Sequence, residues 1–237
     1  MKKKTVCLLS GGLDSSVTAF LAKEMGYDVY ALSFRYGQRH AKELACARKI
    51  AKAVGAKEHI VFEVPLDTFG GSALLARSGL KIKDHPVNTI GKTIPSTYVP
   101  ARNTVFLSLA LAYAETLDAD AIFLGANAVD YSGYPDCRPE YIAAFQKLAT
   151  LAIKAVVGRK TVRIVAPLLT LSKADIVKTG VALRVPFEKT WSCYRGGTKA
   201  CGKCDSCLLR LKGFQVAGVQ DPLDYMTVPS WYTFGSH

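Results

Sequence analysis

The stretch Thr5-Val-Cys-Leu-Leu-Ser10-Gly-Gly-Leu-Asp-Ser-Ser16 decides how the chain is read. Its apolar run from Thr5 to Leu9, bounded by Lys4 and by Ser10-Gly11-Gly12, has the length and flanks of a buried strand. Val17, Phe20, Leu21 and Met25 then recur at helical spacing on one side. Strand, glycine turn and helix follow one another, and backbone N–H groups at such a helix start point at whatever lies off the end of the strand. Gly11 and Gly12 let the backbone approach an anion closely, while Ser10, Ser15 and Ser16 add hydroxyl donors. The turn lacks both the Gly-Lys-Ser/Thr ending of a Walker A loop and the G-x-G-x-x-G of a dinucleotide fold. The plainer alternative is a glycine turn capped by serines.

Outward from this turn the pattern repeats. Asp28 to Phe34 reads as a strand, Gln38 to Val54 as a helix and Glu58 to Val64 as a third strand. Such alternation implies an α/β fold, a parallel sheet covered by helices. Leu66 to Pro100 breaks the rhythm with repeated Gly and Pro, and a loop of that length usually closes over a site. A helix over Arg102 to Leu117, a strand over Ala121 to Leu124, a polar loop from Gly125 to Arg138, a helix from Pro139 to about Val156 and a strand over Val162 to Val165 follow. Ser172 is placed to cap a last core helix, with Asp175 at the capping-box position. Beyond Pro186 lie a cysteine-rich segment and a tail rich in Pro, Trp and Tyr. The 237 residues suit one α/β domain with a modest appendage.

Composition narrows the classes further. Hydrophobic residues make up 49% and charged residues 21%, the balance of a folded chain and not of a disordered one. No run approaches the roughly 18 apolar residues of a membrane helix. The apolar stretch after Met1 to Lys4 is too short for a signal peptide, so the expectation is a cytoplasmic protein with no membrane partner. The net charge of +12 favours an anionic partner without choosing between nucleic acid, nucleotide and acidic small molecule. The acid-free stretch from Tyr141 to Ala174, with Lys147, Lys154, Arg159, Lys160, Arg163 and Lys173, reads as a solvated basic face or as a polyanion-binding surface.

Of the seven cysteines, Cys7, Cys46 and Cys137 stand singly, whereas Cys193, Cys201, Cys204 and Cys207 crowd together among glycines. That clustering argues against a disulfide scaffold and for a closed tetrahedral zinc site in which thiolates fill every position. An iron–sulfur cluster is the rival, since it also uses short cysteine spacings.

Between the glycine turn and the cysteines, Tyr98-Val-Pro-Ala-Arg-Asn-Thr104 puts Arg102 and Asn103 at the start of the long apolar helix, as a ligand contact or simply a cap. The loop Gly125-Ala-Asn-Ala-Val-Asp130-Tyr-Ser-Gly-Tyr-Pro-Asp-Cys-Arg138 follows a core strand, at the sheet edge where open α/β folds bind ligands. Tyr36, Gln38 and His40 leave the second strand at the same edge.

The run Ser10 to Ser16 resembles the pyrophosphate-binding signature of the PP-loop ATP pyrophosphatases, and Lys173 in Leu171-Ser-Lys-Ala-Asp-Ile176 matches their second basic phosphate contact. Together with Arg35-Tyr-Gly-Gln38, Tyr98 to Asn103, Asp130-Tyr-Ser-Gly-Tyr-Pro-Asp-Cys-Arg138, and Trp191-Ser-Cys193 through Cys201-Gly-Lys-Cys-Asp-Ser-Cys207, the chain resembles over nearly its whole length the 7-cyano-7-deazaguanine synthases of queuosine biosynthesis. The resemblance implies a Rossmann-like parallel sheet with helices on both faces, of the adenine nucleotide alpha hydrolase-like type, over residues 1–186. A zinc-binding segment over 187–237 would pack on it. It implies a ligase that converts 7-carboxy-7-deazaguanine and free ammonia to the nitrile through adenylylated acid and amide intermediates, with ATP, Mg²⁺ and Zn²⁺ as cofactors.

In that scheme Leu9, Ser10, Gly11, Gly12, Leu13, Asp14, Ser15 and Ser16 hold the pyrophosphate and its metal, and Phe34 and Tyr36 lie near adenine. Asp14, Lys173 and Arg102 serve the chemistry, and Arg102, Asn103, Asp130, Tyr131 and Arg138 receive the deazaguanine and its carboxylate. No nucleic acid is needed, and a homodimer is left open. A PP-loop tRNA-modifying enzyme and a zinc-ribbon nucleic-acid binder remain the alternatives.

Overall fold

The computed structural model describes residues 2–40, 42–91, 93–129, 134–154 and 161–234. Its main elements are β1 (Lys4–Leu8), α1 (Leu13–Glu24), β2 (Asp28–Arg35), α2 (Lys42–Val54), β3 (Glu58–Glu63), α3 (Arg102–Thr116), β4 (Ala121–Phe123), α4 (Pro139–Ala152), β5 (Arg163–Val165), α5 (Lys173–Ala182) and α6 (Asp205–Ala217). Among the described residues the strands form one sheet in the order β3-β2-β1-β4-β5, with every neighbouring pair parallel.

Side chains alternate across a strand, so each face of the sheet takes half of them. Val6, Leu32, Phe34 and Ile122 leave one face and pack with Leu107, Ala110 and Leu111 of α3 and Phe145 of α4. Cys7, Val29, Ala31, Ala121 and Phe123 leave the other and pack with Ala19 and Ala22 of α1 and Ala47, Ile50 and Val54 of α2. Full burial of each Val, Ile, Leu or Phe contributes roughly 1.5–3 kcal/mol, which is why the strands read as near-continuous apolar runs. A third cluster joins Leu13 and Val17 of α1 to Ile176 and Val177 of α5 and to Leu211 and Phe214 of α6.

Several boundaries differ from the sequence expectations. The helix expected from Gln38 begins at Lys42, because Gly37 has φ +80° and the Gln38 side chain is engaged elsewhere. Its Oε1 accepts from Tyr36 N–H at 2.7 Å, and its Nε2 donates to the Phe34 carbonyl at 3.3 Å. Met25 caps the end of α1 and is 55% exposed, not part of the buried face. The helix expected to reach Val156 is described to Ala152, and Val156 lies outside the described residues.

Among its described residues the insertion from Leu66 to Pro100 holds two short 3₁₀ turns, Leu66–Thr68 and Ala76–Ser78, and a single bridge from Leu75 to Gln38, yet Ser72, Ala73 and Leu75 are wholly buried. Ser172 does cap α5, accepting from Asp175 N–H at 3.2 Å. Helix α6 has no counterpart in the sequence reading. Among the described residues no helix is long and apolar enough to cross a membrane.

Candidate active site and cysteine centre

From β1 the sheet is built outward in both directions, to β2 on one side and β4 on the other, so a crevice opens where the β1 and β4 carboxyl ends diverge. The glycine turn sits there. Gly11 has φ +83°, and a Cβ on it would lie 2.3 Å from the Glu43 carbonyl and 2.5 Å from Ala47 N, so only glycine lets the turn rest on α2. Hydroxyls brace the turn from within: Ser10 Oγ lies 2.9 Å from Ser15 Oγ, Gly12 N–H donates to Ser10 Oγ at 3.3 Å, and Ser16 Oγ donates to the Gly12 carbonyl at 2.7 Å. Gly12 caps α1 without a side chain, so the first N–H groups of that helix are left for a ligand.

The exit from β4 closes against this turn. A Cβ on Gly125 would lie 2.9 Å from Ser15 N and 3.0 Å from the Asp14 carbonyl carbon. Two residues later, Asn127 donates through Nδ2 to the carbonyls of Leu168 (2.9 Å) and Leu171 (2.7 Å), fixing the turn that leads into α5. The first residue of α5 is Lys173, 7% exposed, whose Nζ lies 2.8 Å and 2.9 Å from the two carboxylate oxygens of Asp14.

The cleft holds about 240 Å³ and is lined by Leu9, Ser10, Gly12, Leu13, Asp14, Ser15, Phe34, Tyr36, Arg102, Asn103 and Lys173 among the residues singled out from sequence. Phe34 stacks on Phe106 of α3 with ring centroids 4.0 Å apart, and Tyr36 meets the same ring edge-on at 5.6 Å. Arg102 opens α3 after Ala101, which takes a left-handed φ of +53°. Its guanidinium lies 5.7 Å from the centre of the Tyr36 ring. Burial alone would lower the Arg102 pKa, but Tyr36, Tyr134 and Asp136 around it carry the value upward, so the group stays charged.

Other candidates are placed differently. The Asn103 amide donates to the Asp136 carbonyl at 3.1 Å, and Asn103 N–H donates to Asp136 Oδ2 at 3.1 Å, so this residue braces α3 against the turn at Pro135–Cys137. Arg138 is exposed at the cap of α4 and does not line the cleft. Asp130 and Tyr131 lie outside the described residues.

Glu43, in the first turn of α2, was not among the sequence candidates, because an acid there looks like a partner for the helix dipole. It lines the cleft half-buried, with no hydrogen-bond partner among the described residues. Burial pushes its pKa to about 7 against the pull of Arg102. The far wall of the cleft is equally unforeseen: Trp191, Ser192, Tyr194, Ser206 and Arg210 all come from the cysteine segment and α6. Trp191 N–H donates to the Gly11 carbonyl at 2.9 Å, and Lys42 Nζ sits 3.3 Å over the indole. The one signal available in sequence was Arg210 itself, a charge inside the apolar run Leu208 to Leu211 that demands a buried partner.

The ligand sulfurs of Cys193, Cys201, Cys204 and Cys207 all lie within 4.8 Å of one another, with Cys201 and Cys207 3.9 Å apart. A ZnS₄ tetrahedron with arms of about 2.3 Å has edges of about 3.8 Å, so the four thiols fit one ion. A multi-iron cluster would place metal and sulfide atoms between the thiolates and spread them further. The N–H groups of Arg195 and Cys201 point at Cys193 Sγ, and those of Lys203 and Cys204 at Cys201 Sγ, at 3.3–3.4 Å. Such donors favour the thiolate form that a metal requires.

The family profile described as queuosine biosynthesis protein QueC matches residues 4–218. The 7-cyano-7-deazaguanine synthase of Thermoplasma acidophilum is 53% identical over 232 residues, 98% of this chain and 95% of that one. Proteins of the same name from Desulfatibacillum aliphaticivorans (56% over 228 residues, 95% and 97% of the two chains) and Syntrophus aciditrophicus (57% over 224 residues, 93% and 96%) match as fully. Among solved structures, an NMN synthetase from Francisella tularensis superposes with a TM-score of 0.48 at 18% identity, over 92% of this chain and 78% of that one.

Proposed function

The chain belongs to the queuosine biosynthesis protein QueC family, and on that premise we propose that its cleft converts 7-carboxy-7-deazaguanine and ammonia to 7-cyano-7-deazaguanine, with ATP cleaved to AMP and pyrophosphate. One observation carries the reading: the glycine turn, the α1 start and the buried Lys173 converge on one side of a cleft at the centre of the sheet.

A carboxylate resists amines because its charge repels them and oxide is a poor leaving group, so activation must come first. The acid attacks the α-phosphorus of ATP while pyrophosphate departs onto the turn from Leu9 to Ser16, including Gly11 and Leu13. Backbone donors and Lys173 stabilise the charge that develops there, and they are already in place before the reaction. Ammonia displaces AMP to give the amide, whose oxygen is adenylylated in a second round, and loss of AMP leaves the nitrile.

Phe34 and Tyr36 provide the apolar wall for adenine. Arg102, its charge maintained by its surroundings, receives the substrate carboxylate; Asn103 offers its Oδ1 to the base, and Asp130 and Tyr131 complete the substrate side, whereas Arg138, exposed and outside the cleft lining, would have to swing inward to take the role its motif suggests. Asp14 with the Ser10 and Ser15 hydroxyls is a set of hard oxygen donors that suits Mg²⁺, which neutralises phosphate charge when bound. The four cysteines hold one structural Zn²⁺, residues 1–186 form the ATP-binding unit and residues 187–237 the zinc segment on it.

Incubation of the purified protein with ATP, an ammonium salt and 7-carboxy-7-deazaguanine, followed by mass spectrometry, tests this. The expected products are the nitrile, AMP and pyrophosphate. ADP with inorganic phosphate would overturn the chemistry assigned to the glycine turn.

A further inference from the structure

The nitrogen that enters this reaction as ammonia carries three protons, and the nitrile nitrogen carries none. One proton leaves as the nitrogen bonds to the acyl carbon and the bond from that carbon to the AMP oxygen breaks with its electron pair. Two more leave after the amide oxygen has been adenylylated, as the carbon–nitrogen triple bond forms and the carbon–oxygen bond to the second AMP breaks. A proton acceptor at the reacting nitrogen therefore acts in both halves.

Few groups in the cleft can be that acceptor. Burial raises Tyr36 to about 12 and also raises Tyr134, so both keep their protons near neutrality. Lys173 and Arg102 are cations. Two carboxylates line the cleft among the described residues, and Asp14 is held by Lys173 at 2.8 Å and 2.9 Å. The other is Glu43, which has no hydrogen-bond partner among the described residues and sits close enough to Arg102 to feel its charge.

We propose that Glu43 is the general base that strips the substrate nitrogen in both halves of the reaction, passing each proton on to water at its open side. The inference rests on the function proposed above, which supplies the nitrogen and its protons. The position is consistent with that role: Arg102 would hold the substrate carboxyl, the same carbon that later becomes the nitrile, within the field of Glu43. A pKa brought to about 7 by burial suits a group that must both accept and release protons at neutral pH.

Formation of the acyl adenylate removes no proton from nitrogen, so it separates the base from everything else. In wild-type protein, exchange of labelled pyrophosphate into ATP should depend on 7-carboxy-7-deazaguanine; its absence would sink the proposed function and not the role of Glu43. Glu43→Gln, nearly the same in shape, should keep that exchange within about threefold, yet convert 7-amido-7-deazaguanine to the nitrile about 100-fold more slowly. Unchanged nitrile formation overturns the proposal. So does a parallel loss of exchange and nitrile formation in a variant whose circular dichroism and melting match wild type, since that marks a binding role. Should Glu43→Gln not fold, Glu43→Asp gives the same reading: exchange intact with nitrile formation partly reduced supports the base, and equal losses exclude it.

Discussion

Lys173 Nζ bonds both carboxylate oxygens of Asp14, at 2.8 Å and 2.9 Å, across 159 positions of sequence. The lysine reaches that point because its stem lies against Gly213 of α6, where a Cβ would come within 2.3 Å of Lys173 Cγ. Three helices thus meet at one ion pair, and the smallest residue in α6 makes the room for it.

Gly213→Ala is consequently expected to invert the usual helix rule. In an open helix the change would stabilise by about 1 kcal/mol; here overpacking against Lys173 should instead destabilise by about 1–3 kcal/mol and displace the ammonium from Asp14. Thermal melting and AMP release, measured together, check this, and a more stable variant with full activity would contradict it.

Zinc removal should reach further than the cysteines. Elemental analysis should find one zinc per chain, and Cys204→Ser, or prolonged chelation, should abolish it, with apparent binding energy on the order of 10 kcal/mol lost to the segment. Because Trp191 and Tyr194 wall the cleft, ATP-dependent turnover should fall with the metal, and the emission of Trp191 should shift as it leaves its buried place beside Gly11. Iron and sulfide in the elemental analysis would refute the zinc assignment.

Arg210 and Asp221 form an ion pair whose side chains are 2% and 1% exposed, with bonds of 2.7 Å and 2.9 Å. Arg210→Met leaves Asp221 charged and buried without its partner, although Tyr225 Oη still donates to it at 2.6 Å. The expected cost is about 3–5 kcal/mol, visible as a melting temperature lower by roughly 10 °C. A loss below 1 kcal/mol in chemical denaturation would contradict it.

Periodicity revealed the βα alternation from Thr5 to Val64 because β1 and β2 carry buried apolar residues on both faces, β3 keeps the short apolar run Ile60 to Phe62, and the connecting helices are bounded by glycine. It failed at α6 for the opposite reason. Leu208, Leu209, Arg210, Leu211, Gly213 and Phe214 are all buried, and the narrow exposed side carries Val216 beside Lys212, so little polarity sets its period. The glycine turn and the cysteine set were visible as local patterns, whereas Lys173 stood out only through the family resemblance that pairs it with the turn. Glu43, Asn127 and Trp191 were not, since each becomes part of the cleft only through contacts with distant segments: Arg102, the Leu168–Leu171 turn and Gly11. At its helix start Asn103 could be a ligand contact or a cap, and its amide N–H groups hold Asp136 and Cys137.

The bond from Trp191 N–H to the Gly11 carbonyl also sets a sequence of events in time. A nascent chain can lay down its sheet and expose the glycine turn while residues 191–210 are still being made. The opposite wall, with Trp191, Ser192, Tyr194, Ser206 and Arg210, does not exist until they emerge. A half-made chain therefore presents the glycine turn without the far side of its cleft. The order of synthesis thus places the completion of the cleft after the completion of the sheet.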